Sequence, residues 1–94
     1  MVLTTTERIS GLEIETLGLV QGSAVQGPGP AEDGEEVHDW AGRLNEARSL
    51  ATRRMVKEAE SLGADAVVCV RYSTALLTQG DAEVLAYGTA VKFL

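Results

Sequence analysis

Residues 62–72, Leu62-Gly63-Ala64-Asp65-Ala66-Val67-Val68-Cys69-Val70-Arg71-Tyr72, join two kinds of periodicity. Upstream, apolar residues recur at helical spacing. From Ala66 to Tyr72 the chain is apolar and rich in valine, as a strand is. Gly63 stands just past Leu62, where helices often end on a left-handed residue that glycine adopts without cost. Strict alternation within the strand predicts Val67, Cys69 and Arg71 on one face and Val68, Val70 and Tyr72 on the other.

Reading back from Leu62, the apolar positions are Val37, Trp40, Ala41, Leu44, Ala47, Ala51, Met55, Ala59 and Leu62. They form an i, i+3, i+4, i+7 stripe of about seven turns. Asp33 or a neighbour is placed to cap the start, and Glu35, Glu36 and Asp39 lie where the helix dipole favours negative charge. The many alanines in the stripe let this helix lie close to whatever it packs on. Before it, Gly27-Pro28-Gly29-Pro30 breaks regular structure, and residues 26–36 are expected to form a mobile loop. Ile14 to Val25 reads as the first main strand, with Ile14, Thr16, Gly18, Val20, Gly22 and Ala24 in one register. Gly18 and Gly22 imply either a close approach by another backbone or a bend. Leu3 to Thr6 is a candidate β-arm.

Reading forward, Gln79-Gly80-Asp81 is a hairpin turn and Glu83 to Phe93 the last strand. Leu85, Tyr87, Val91 and Phe93 share one face of it; Val84, Ala86, Gly88 and Ala90 share the other. The order β-α-β-β predicts a two-layer α+β domain spanning residues 1–94. The crossover through the helix leaves a gap that the last strand fills, giving an antiparallel sheet of order 1-3-2. One helix covers one face. The opposite face still carries apolar side chains, and monomers rarely leave such a patch uncovered. A homo-oligomer follows, with about 800 Å² buried per subunit in a standard interface.

Composition narrows the function classes. The net charge is −6, from 14 acidic and 8 basic residues, which excludes a phosphate-binding surface for nucleic acid and disfavours anionic membranes. Aromatic residues are 4% of the chain, so the core must be aliphatic. Cys69 is the only cysteine, so no intramolecular disulfide forms, which fits a cytoplasmic protein. The start of the sequence has no signal-peptide pattern, and its longest apolar run, Ala66 to Val70, is far below the roughly 20 residues of a membrane span.

Catalytic chemistry finds little to stand on. No Ser-His-Asp or Cys-His spacing occurs, and neither Gly18-x-x-x-Gly22 nor Gly27-x-Gly29 leads into a phosphate loop. The expectation is a non-catalytic protein. Soft metals need several convergent Cys or His ligands, and here His38 and Cys69 are the two candidates. Each also has an ordinary reading, as a solvated surface histidine and a small core hydrophobe. The acidic group Glu32, Asp33, Glu35, Glu36 and Asp39 lacks the alternating spacing of a calcium loop. Trp40 is a candidate ligand-stacking residue, although its place in the apolar stripe favours packing. Arg71, in an apolar strand, is expected to be buried and paired with a carboxylate such as Glu83 across the hairpin or one on a neighbouring subunit.

Leu62-Gly63-Ala64-Asp65-Ala66-Val67-Val68, after a helix with Glu46-Ala47-Arg48 and Ala51 and before Gly88-Thr89-Ala90-Val91, resembles the YbjQ-like family. Thr4-Thr5-Thr6 and Gly18-Leu19-Val20-Gln21-Gly22 fit it too. That family is named for heavy-metal binding. The resemblance implies a dodecin-like subunit, assembly into a ring, commonly a pentamer, and a metal ion as the candidate cofactor. A dodecin-like binder of a flat small molecule between subunits is the alternative. Thr4, Thr5, Thr6, Tyr72 and Tyr87 are the expected interface residues. The chain departs from the family pattern in its shorter segment between first strand and helix and in Ser23, where a glutamate is frequent.

Overall fold

The structure is a computed structural model that describes residues 1–26, 40–76 and 81–94, with Trp40 described by its backbone alone. Its elements are β1 (Val2–Leu3), β2 (Ile14–Gln26), α1 (Trp40–Ser61), β3 (Ala66–Leu76) and β4 (Ala82–Phe93). They form one four-stranded sheet of order β1-β3-β4-β2. The three long strands take the expected order, with β4 in the middle and antiparallel to both neighbours. The sheet is nevertheless mixed, because β1 pairs with the start of β3 in parallel. The arm is Val2–Leu3 rather than Leu3–Thr6.

The stripe on α1 forms the core as its spacing requires. Ala47, Ala51, Met55 and Ala59 are fully buried against Val20, Ala24, Val67, Val70, Val84, Ala86 and Ala90. Ala41 and Leu62, also in the stripe, are exposed. Leu62 lies beyond the last turn, where Gly63 (φ 79°) closes the helix. The Gly63 N–H donates to the Glu60 carbonyl and the Ala64 N–H to the Ala59 carbonyl. These two bonds satisfy carbonyls that a bare helix end leaves orphaned. The expected cap at Asp33, the acidic residues around it and most of the expected loop at 26–36 lie outside the described residues. Gln26 itself is the last residue of β2.

Both alternatives raised by the glycine pair are realised, one at each glycine. At Gly22, a β-carbon would stand 2.4 Å from the Ala51 carbonyl oxygen and the Met55 amide nitrogen, so the helix backbone rests directly on the strand. At Gly18 (φ 146°) the pairing register with β4 shifts between Thr16 and Gly18. This bulge turns Leu17 towards the helix, where it packs on the main core.

A second bulge, between Val68 and Arg71 of β3, corrects the predicted faces. Cys69 takes a left-handed backbone (φ 56°), uncommon for any residue but glycine or asparagine. The extra residue brings Val70 to the same face as Val67, and both join the helix-side core. Tyr72 follows on that face, and its hydroxyl lies 2.8 Å from that of Thr52 on α1.

α1 lies over β2 and β4 and scarcely reaches β3. Its side chains also guard the free edge of β2. The Gln21 N–H donates to Glu58 Oε1 (3.0 Å), and Arg54 donates to the Ser23 carbonyl (2.6 Å).

Candidate functional site: an open sheet face

Opposed residues in an antiparallel pair point to the same side of a sheet, so the registers define the face away from α1. One end of it holds Ile14 opposite Phe93, and Val91 opposite Ala66. Ala66, Val68 and Val91 are buried there, with Ile9, Ile14, Cys69 and Phe93 packed around them. Ile9 belongs to the segment after β1, which folds across this end. The expectation that no element covers this face is therefore corrected at this end of it.

Beyond that end the face is open. Leu19 lies opposite Thr89, Gln21 opposite Tyr87, Ser23 opposite Leu85 and Val25 opposite Glu83. Leu19 is 70% exposed, Val25 53% and Tyr87 37%, with Leu85 half-buried between them. β3 adds Arg71 beside Tyr87 and Ser73 beside Leu85. The only charged side chains within this grid are Arg71 and Glu83. Tyr87 was anticipated as an interface residue. Leu19 and Val25 were not, although their alternation with the buried Val20 and Ala24 was the signal.

Of the other anticipated interface residues, the threonines have a visible structural task. The Thr4 N–H donates to the Val67 carbonyl, while the Thr4 carbonyl receives the Val70 N–H. The Thr6 carbonyl receives the Cys69 N–H, which holds the β3 bulge. The Thr4 and Thr6 hydroxyls lie 2.8 Å apart, and the Thr6 hydroxyl donates to the Arg8 carbonyl. Arg71 is exposed rather than buried, and its guanidinium donates to the carbonyls of Thr5 and Val70 instead of pairing with Glu83. An arginine has several donors and bends readily to unpaired carbonyls at a sheet edge, which removes the need for a carboxylate. Lys92 and Asp65 form an ion pair (3.9 Å) exposed to solvent.

Cys69 is half-buried and carries a free thiol. His38 and the Trp40 side chain lie outside the described residues. Among the described residues no three Cys, His, Asp or Glu side chains converge as a metal site would require. A shallow cleft of about 370 Å³ opens between the end of β2 and α1, lined by Gln26, Asn45, Glu46, Ser49, Leu50 and Arg53. Within its walls the Gln26 amide donates to Glu46. No described helix is long and apolar enough to cross a membrane.

One long helix on a mixed sheet with a parallel terminal arm, whose other face is partly open among the described residues, defines a class of small α+β domain. The chain belongs to the YbjQ family, whose model, described as "Putative heavy-metal-binding", matches residues 1–94. It is 50% identical to a UPF0145 protein of Clostridium novyi (strain NT), with the whole of both chains covered. A UPF0145 protein of Alkaliphilus metalliredigens is 42% identical, again over both chains entire. The UPF0145 protein of Thermotoga maritima is 45% identical, with 98% of this chain and 96% of that one covered. These alignments are longer than the chain, so it carries deletions relative to those proteins. A crystal structure of a DUF74-family protein of unknown function from Pediococcus pentosaceus superimposes with a TM-score of 0.79, covering 100% of this chain and 98% of that one. At 17% identity that likeness shows the fold alone.

Proposed function

We propose that the chain is a non-catalytic subunit of a homo-oligomeric binding or scaffold protein, in which sister copies cover the open sheet face. The observation that carries this is the patch across β2 and β4 on which Leu19, Val25 and Tyr87 are exposed to water around a half-buried Leu85. Covering it removes apolar area at about 25 cal/mol per Å², the usual driving force for association. The resemblance implies five copies. A cytoplasmic setting suits a chain with one free cysteine.

Heavy-metal binding is the ligand class that the family's description supports. The chain has one cysteine and one histidine, so a soft-metal site built on them would gather its ligands from more than one copy. Cys69 and His38 are the donors it would use. Protein purified without chelators should then carry zinc, copper or nickel at a fixed ratio to the assembly. Cys69→Ala or His38→Ala should release it. Metal-free protein under those conditions contradicts the metal reading.

The assembly reading is tested separately with Leu19→Glu, which sets a charge in the middle of the patch. Light scattering should show a smaller species that keeps the native circular dichroism spectrum. An unchanged mass contradicts the assignment of this face.

A further inference from the structure

The second surface of note is an edge. β3 runs eleven residues, but β1 and the segment after it occupy its outer side only as far as Val70. From Arg71 to Leu76 every residue is exposed, and among the described residues no strand pairs with that side. Sheet edges are normally blunted with charge, proline or a cover, because their bare N–H and C=O groups template another strand. The opposite edge follows that rule: Glu58 and Arg54 occupy the outward groups of Gln21 and Ser23. The β3 edge does not. Tyr72-Ser73-Thr74-Ala75-Leu76 has no charge and no proline.

The direction of its backbone groups follows from the ladder. The Val70 N–H points outward to the Thr4 carbonyl. Alternation then sends the N–H and C=O groups of Tyr72, Thr74 and Leu76 outward as well, while Arg71, Ser73 and Ala75 face β4.

We infer that the outer edge of β3 at Tyr72–Leu76 pairs antiparallel with the same edge of a second copy, centred on Thr74. This rests on the reading that copies of the chain associate, but it names a different contact from the face. Three observations select this occupant. Glu58 and Arg54 obstruct the middle of β2, which denies a head-to-tail pairing with that strand of another copy. A parallel alignment of two identical edges cannot be two-fold symmetric, because a parallel ladder sets a residue whose groups face the partner opposite one whose groups face away. The antiparallel alignment sets Thr74 opposite Thr74 of the second copy, and Tyr72 opposite Leu76 of the second copy. Threonine pairs and aromatic–aliphatic pairs are favourable cross-strand contacts. It also covers Leu76, 74% exposed in the single chain. The contact is isologous, so it joins copies two at a time whatever number the open face gathers.

Thr74→Pro tests it. The Thr74 N–H faces outward, so proline there removes a donor to the second copy and none to β4. Light scattering on Thr74→Pro, beside Leu19→Glu and the wild type, reads both contacts. The expected result is a native circular dichroism spectrum with about half the wild-type mass. A native spectrum with unchanged mass overturns the edge pairing. If Leu19→Glu lowers the mass and Thr74→Pro does not, the face stands and the edge falls; the reverse pattern does the opposite. Should Thr74→Pro fail to fold, amide exchange on the wild type decides. The Tyr72, Thr74 and Leu76 amides should slow by at least about ten-fold between dilute and concentrated protein. Equal exchange at both concentrations overturns the pairing.

Discussion

Gly22→Ala adds one methyl group where the helix leaves no room for it. The new carbon would lie 2.4 Å from both the Ala51 carbonyl oxygen and the Met55 amide nitrogen, and 2.8 Å from the Arg54 carbonyl carbon. Ordinary contacts between such atoms begin at about 3.5 Å, so helix and strand must part by about 1 Å. The obstacles are backbone atoms, so no rotamer change relieves the clash. The parting loosens Ala51 and Met55, both fully buried, and stretches the bonds from Arg54 to Ser23 and from Gln21 to Glu58. Overpacking of this kind costs about 1–3 kcal/mol, and each weakened hydrogen bond adds a fraction of its roughly 1 kcal/mol. We expect a loss of about 3 kcal/mol, from a total that for domains of this size is about 5–15 kcal/mol. In thermal unfolding that corresponds to a fall in Tm of about 12–24 °C. The assay is urea and thermal unfolding at one fixed protein concentration, because association contributes to apparent stability. Gly63→Ala is the comparison: it meets nothing within 4 Å and pays only for its left-handed backbone, about 1–2 kcal/mol. A Gly22→Ala protein within about 0.5 kcal/mol of wild type would refute the close packing of α1 on β2.

Three other expectations follow from the packing. Met55→Ala, at the centre of the helix-side core, should lose about 2–5 kcal/mol in urea unfolding. Cys69→Val should destabilise the fold by at least about 1 kcal/mol despite adding apolar volume, because a β-branched residue resists the left-handed backbone, whereas Cys69→Gly should stay within about 1 kcal/mol of wild type. Arg71→Ala should cost about 0.5–1.5 kcal/mol, and amide exchange should show the Cys69 and Val70 N–H groups opening faster as the arm loses its tie at Thr5.

The sequence carried the helix, the three long strands and their order, since each rests on a period that runs the length of its element. It failed where the period slips. Cys69 sits in a bulge that shifts Val70 from one face to the other, and a cysteine gives no hint of a left-handed backbone. Gly18 did give one, and its bulge was half anticipated as a bend. The parallel pairing of Val2–Leu3 was illegible because two residues show no alternation at all. Arg71 misled for a related reason: beside valines it looked buried, but after the bulge at Cys69 it lies on the face away from α1, beside the exposed Tyr87. As for the candidate site, alternation along the last strand put Leu85 and Tyr87 on one face, and both lie on the open face. Leu19 and Val25 were passed over because a strand facing a helix draws attention to its buried register. Which face α1 would choose depends on Gly22 accepting the helix backbone, a fact of three-dimensional fit.

The light-scattering mass of the wild-type chain, followed from micromolar to submillimolar concentration, bears most directly on the open face. Assembly by that face should yield a constant multiple of the single-chain mass over most of that range. A well-folded species holding the single-chain mass throughout would contradict it, and would leave Leu19, Val25 and Tyr87 in water with no partner to cover them.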